Sequence, residues 1–155
     1  MGTRSTIARQ NEDGSFDSIY CHCDGYPEHN GNLLLNHYQD RANVNALMAL
    51  GNLSSLGEKI GSQHNFDLPP RNECNAYGRD RHELDTGAQH FPDVGSFILM
   101  LSESWTEWLY IYKPNGKWYF TNNPSPTCFK LSGSGAQRAT CELTTEAIQK
   151  LSEED

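Results

Sequence analysis

The strongest constraint on the fold lies in residues 3–26, where two strand-like runs flank a glycine turn. TRSTIARQ (residues 3–10) and FDSIYCHC (residues 16–23) are separated by NEDGS. Asp13-Gly14 supplies the positive φ angles that a tight hairpin turn requires, so the chain should open with a β-hairpin. Side chains of an extended segment alternate between two faces. Phe16, Ser18, Tyr20, His22 and Asp24 then point one way, and Asp17, Ile19, Cys21 and Cys23 the other. Ile19 and the two cysteines suit a core. The opposite face carries a phenol, an imidazole and a carboxylate, and Gly25-Tyr26-Pro27 ends the strand and turns the backbone.

Downstream, the periodicity changes. Residues 30–41 read as a helix, with Leu33, Leu34, His37 and Tyr38 at helical spacing. A second helix follows through Val44, Leu47, Met48 and Leu50, stopped by Gly51. Leu53, Leu56 and Ile60 suggest a further helical turn or two. Residues 61–75 carry no periodicity and include Pro69-Pro70, so a surface loop is expected. Residues 76–81 (AYGRDR) suit a short strand ending in charge, 82–93 another loop, and the apolar run 94–102 a buried strand. Residues 105–112 and 117–121 form a second hairpin across Pro114-Asn115-Gly116, with aromatic residues on both faces. Residues 122–140 are loop-like, 142–151 helical, and 152–155 an acidic, frayed tail. No internal repeat or linker separates two cores. The expectation is one α+β domain over residues 1–155, a mainly antiparallel sheet with two β-hairpins and helices packed on one face.

Charge narrows the partners. The net charge is −8, whereas nonspecific nucleic-acid or anionic-membrane binders carry basic excess. No run of about 18 apolar residues is present to span a membrane. The N-terminal MGTRSTIARQ lacks an apolar signal core, so residence in the cytoplasm is expected. Five cysteines without a secretory signal argue against a full disulfide framework. Cys21-x-Cys23 could offer two thiolates, with Cys74, Cys128 or a histidine completing a zinc site. No second close Cys or His pair accompanies them, so reduced cysteines packed as small apolar residues are expected, with no metal and no cofactor.

Three groups of residues bear on chemistry. Tyr20, His22 and Asp24 would share a strand face near Tyr26, and a carboxylate two residues from an imidazole can hold its tautomer and raise its pKa, making His22 a general base or a metal ligand. The alternative is a polar sheet face under a loop, with Asp24 capping the turn. Arg79 and Arg81, at i and i+2 on a strand end, would present two guanidinium forks on one side, near Tyr77 and His82. Such forks match phosphate oxygens. The alternative is ion pairing with Asp24, Glu83 or Asp85. The aromatic hairpin with Trp105, Trp108, Tyr110, Tyr112, Trp118 and Tyr119 is expected to fill a core. Phosphate-loop, dinucleotide, zinc-protease and nucleophile-elbow motifs are absent.

STIA, the pattern Y-x-H-x-D-G-Y at residues 20–26, LGNLSSLG at 50–57 and AYGRDR at 76–81 resemble a family of small uncharacterised proteins of tailed bacteriophages and some bacterial genomes. The likeness covers about the first half of the chain. Many members carry an aromatic residue where this chain has Cys23, which further weakens a zinc site built on C-x-C. The resemblance implies a phage accessory protein acting in host cytoplasm against a host defence. The favoured function is binding: either a host defence protein is blocked, or a phosphate-bearing small molecule such as a nucleotide signal is captured by Tyr20, His22, Asp24, Tyr26, Tyr77, Arg79 and Arg81. The alternatives are a small hydrolase or transferase using His22 and Asp24, and a structural or scaffold protein. A homo-oligomer is compatible with each.

Overall fold

The computed structural model describes residues 3–104, 106–122 and 141–154. The opening hairpin forms as its sequence requires. β1 (Ser5–Gln10) pairs antiparallel with β2 (Phe16–Cys21), and Gly14 takes φ 89° in the turn. The register pairs Ile7 with Ile19 and Thr6 with Tyr20, so each pair shares a face.

After β2, a π-helical turn (Pro27–Gly31) leads into α1 (Asn32–His37) and α2 (Arg41–Leu50). β3 (Leu53–Ser55), β4 (Asn75–Ala76), α3 (Tyr77–Arg81) and β5 (Gln89–Phe91) follow. Next come α4 (Val94–Glu103), the hairpin of β6 (Trp108–Tyr112) and β7 (Trp118–Asn122), then β8 (Cys141–Glu142) and α5 (Thr145–Glu154). Strand order is β4-β3-β2-β1-β6-β7-β8, with β5 also pairing with β2. The protein is a single α+β domain. Its sheet is mixed, because β1 pairs parallel with β6 and β2 parallel with β3. Among the described residues, no helix is long and apolar enough to cross a membrane.

Both faces of the sheet are covered. One face carries Ile7, Ile19, Cys21, Tyr110 and Tyr112, packed with Leu34, Tyr38, Val44 and Leu47 of the α1–α2 region and with Ile148 of α5. Thr144 Oγ1 accepts from Ala147 N at 3.0 Å, as expected of a helix-capping threonine. The opposite face carries Ala8, Phe16, Leu109 and Ile111 against Phe97 and Leu101 of α4. Phe16 and Phe97 stack at 4.5 Å. Helices therefore lie on both faces, not one.

Four local expectations change. Residues 94–102 are a helix: Asp93 caps it by accepting from Ser96 N at 2.8 Å, and Phe97 and Leu101 bury one face while Leu99 stays exposed. A nine-residue apolar run is long for a strand, and it begins at a good N-cap. Residues 77–81 are also helical. Asp80 Oδ2 reaches back to accept from Ala76 N at 2.8 Å, and His82 in the left-handed region (φ 59°) ends the turn. Leu53 enters a strand in place of a helical turn because β2 presents a free edge beside Cys21. Within 82–93, β5 adds to that same edge at residues 16–18. Trp105, residues 123–140 and Asp155 lie outside the described residues, and α5 runs through residues 152–154 of the expected tail.

The alternation predicted for residues 16–21 holds, with Ile19 at 2% and Cys21 at 0% exposure and Tyr20 half-buried on the other face. Ile19→Ala should cost about 2–5 kcal/mol through cavity formation. Chemical denaturation measures it, and a loss near zero would contradict the register.

Candidate functional site

The face of β1 and β2 that α4 covers is apolar at one end and polar at the other. Ala8 and Phe16 lie under α4, whereas Thr6, Ser18 and Tyr20 lie toward its C-terminal end. A ten-residue helix spans only about 15 Å, so it cannot cover the whole strand pair and the chain leading into it. Two hollows with shared walls result. A cleft of about 510 Å³ is lined by Arg4, Tyr20, Ser104 and Thr106. A smaller cavity of about 150 Å³ shares Tyr20, Ser104 and Thr106 and adds Thr6, Ser18 and Asn52 among its walls.

Each wall residue has a structural reason to be there. Arg4 precedes β1, and its carbonyl accepts from Glu107 N at 2.9 Å and Trp108 N at 3.3 Å, fixing that strand against the entry to β6. Thr6 and Thr106 share a hydrogen bond at 2.8 Å between their hydroxyls. The outer edge of β2 changes partner, from β5 at residues 16–18 to β3 at Cys21. Asn52 fills the gap by accepting from Tyr20 N at 2.9 Å.

Tyr20 and His22 meet as the sequence suggests, with the phenol oxygen 2.7 Å from His22 Nδ1. Burial raises the Tyr20 pKa above the ordinary phenol value, and the positive charge of Arg4 works against that rise. Tyr77 is near enough for its charge to add to the effect. Burial likewise raises Tyr77, opposed by a hydrogen bond with Ser54. Arg81 lies over the rings of Phe66 and Tyr77, at 4.5 and 4.9 Å from their centroids, and pairs with Glu83. Of the residues singled out from the sequence, only Tyr20 lines the cleft; His22 is hydrogen-bonded to it, and Tyr77 acts on it electrostatically.

Asp24, Tyr26 and Arg79 stand elsewhere. Strand alternation stops at Cys21, and Asp24 adopts φ 56°. Gly25 then packs so tightly that a Cβ there would lie 2.7 Å from both Ser5 Cβ and the Thr3 carbonyl oxygen. Asp24 lines a separate groove with His29, Glu58, Pro70 and Glu73, and His22 has Tyr20, not Asp24, as its hydrogen-bond partner. Tyr26 is exposed beside His29. Arg79 turns inward because residues at i and i+2 diverge on a helix, whereas they coincide on a strand. Its guanidinium donates to Asp80 Oδ1 at 2.9 Å, Ile60 O at 2.8 Å and Cys74 O at 2.8 Å.

Asp80 is fully buried and also accepts from His64 N at 3.1 Å. Burial favours its neutral form, but Arg79 and the backbone donors overcome that, and its pKa falls below the ordinary carboxylate value. Cys21 is buried, with its thiol pushed up to about 12 by burial, and Asn30 Nδ2 lies 3.4 Å from its sulfur. Cys21, Cys23 and Cys74 are free thiols, and Cys128 lies outside the described residues. Among the described residues, no group of three or more His, Cys, Asp or Glu side chains is placed to hold a metal ion.

Sequence reasoning missed Arg4, Thr6, Ser18, Asn52, Ser104 and Thr106. A signal existed for three of them. The turn fixes the hairpin register, which pairs Thr6 with Tyr20 and Ala8 with Ser18, and one further step sets Arg4 opposite His22. Asn52, Ser104 and Thr106 arrive through tertiary packing alone. Comparison with family models, curated proteins and solved structures finds no match to this chain.

The two arginines of α3 should separate cleanly. Arg79→Ala strands a buried carboxylate and should cost about 3–5 kcal/mol. Arg81→Ala removes a half-exposed pair and should cost less than about 1 kcal/mol. Because the folded pKa of Asp80 is depressed, its contribution is complete above the unfolded carboxylate pKa and is lost as pH falls through the folded one. Acid titration of wild type and Asp80→Asn should therefore converge at the acid end and diverge above it.

Proposed function

We propose that this protein acts by binding, capturing a phosphate-bearing small molecule in the cleft beside Arg4 and Tyr20. In the phage setting suggested by its sequence, that molecule is a nucleotide signal withdrawn from a host defence. The observation that carries this reading is Arg4. It lines the cleft, and no ion pair to it is formed among the described residues of a chain whose net charge is −8. A guanidinium placed so offers fork-shaped donors to phosphate oxygens. The cleft volume falls within the range of about 300–1,000 Å³ typical of small-molecule sites.

The neighbouring residues add to the support. Tyr20 supplies a phenol to the cleft wall, with His22 hydrogen-bonded to it, and Ser104 and Thr106 add hydroxyls. Turnover by a His22–Asp24 dyad has less support, since those side chains have separate surroundings.

Incubation with a panel of linear and cyclic nucleotides, removal of free ligand, heat denaturation and mass analysis of the supernatant test this. Sequestration predicts intact nucleotide in the supernatant, and altered nucleotide would indicate catalysis. Arg4→Ala should melt as the wild type does yet weaken capture roughly ten- to hundredfold, the worth of one charge-assisted hydrogen bond. No retention of any nucleotide, with a stable complex formed instead with a host protein, would replace capture by blockade of that protein.

A further inference from the structure

The small inner cavity contains an anomaly. Ser18 is only 4% exposed, yet among the described residues no hydrogen bond engages its hydroxyl. Buried polar groups almost always find a partner, and leaving one unmet is costly. Ser18 also lines the cavity of about 150 Å³. Around it stand the Thr6–Thr106 hydroxyl pair, which uses one of its two protons internally, and Asn52, whose oxygen is taken by Tyr20 N. The amide NH2 of Asn52 is uncommitted among the described residues. The described walls thus hold uncharged donors and acceptors, and they share Tyr20, Ser104 and Thr106 with the outer cleft that Arg4 lines.

We infer that this inner cavity is a hydroxyl-recognition subsite, and that the ligand is a phosphorylated sugar whose sugar hydroxyls bond to Ser18, Thr6 or Thr106, and Asn52 while its phosphate lies at Arg4. The inference rests on the capture function proposed above and specifies its ligand. Each part follows from the lining. Among the described residues of the inner cavity, no cation is present to meet a carboxylate or second phosphate. An apolar group would leave Ser18 unpaired. A hydroxylated ring meets both donors and acceptors, and the two hollows share Tyr20, Ser104 and Thr106 as walls. The division of labour is phosphate outside and sugar inside.

Titration calorimetry with ribose 5-phosphate, 2-deoxyribose 5-phosphate and inorganic phosphate tests this on the full chain. Ribose 5-phosphate should bind at least about tenfold more tightly than inorganic phosphate. Ser18→Ala should reduce the ribose 5-phosphate affinity about tenfold and leave inorganic phosphate unchanged. Ser18→Val, which puts methyl groups in the cavity at a strand position suited to valine, should abolish the sugar's advantage, with both variants checked for wild-type thermal melting. Equal binding of all three probes, unaffected by Ser18 substitution but lost in Arg4→Ala, would overturn the sugar subsite and assign the cavity to water while leaving phosphate capture intact. No binding of any probe would overturn the sugar subsite, while retention of an intact nucleotide in the panel above decides phosphate capture separately.

Discussion

The buried carboxylate of Asp80 is the contact on which the least regular part of the molecule depends. Between β3 and β4 the chain makes a long excursion with almost no secondary structure of its own. Asp80 gathers it by accepting from Ala76 N, His64 N and the Arg79 guanidinium. Arg79 passes the constraint outward to the carbonyls of Ile60 and Cys74. His64 extends it to Asn75 Oδ1 at 2.9 Å, and Asn75 to the Phe66 carbonyl at 3.1 Å. A loop of this length would otherwise carry many unpaired polar groups. Two adjacent charges thus stand in for the ladder that a sheet would provide. Their helical geometry also sends Arg81 outward, over Phe66 and Tyr77.

The second determinant is the mismatch between α4 and the strands beneath it. Apolar residues occupy the part of the face that the helix covers, and hydroxyl-bearing residues occupy the part that it leaves. A serine and a threonine buried at that boundary contribute little to the core. Their placement is understandable as the lining of a cavity, with Arg4 contributed by the segment that leads into β1. Fold and site therefore share one cause: the helix ends before the sheet does.

Much of this was legible in the sequence, and the failures have physical reasons. Asp13-Gly14 and Pro114-Asn115-Gly116 marked both hairpins because turn chemistry is local. The two faces of residues 16–21 followed from alternation, which the central sheet enforces. The run at 94–102 misled because continuous apolar sequence has no period to read, and only Asp93 and the run's length pointed to a helix. YGRDR misled more deeply. Whether Arg79 and Arg81 lie together or apart depends on strand against helix geometry, which was settled by the Asp80 carboxylate reaching back to Ala76 N. Asp24 left its predicted neighbours because Gly25 must pack against Ser5 and Thr3, a tertiary demand invisible to strand periodicity.

The short reach of α4 leaves two hollows at the polar end of β1 and β2, proposed above as one ligand site. A crystal structure of the protein grown with saturating ribose 5-phosphate tests it most directly. The account predicts ligand density in the cleft, with the phosphate against the Arg4 guanidinium and a sugar hydroxyl within hydrogen-bond distance of Ser18 Oγ. Ligand density confined to the groove between Asp24 and Glu73, with Arg4 and Ser18 untouched, would contradict it.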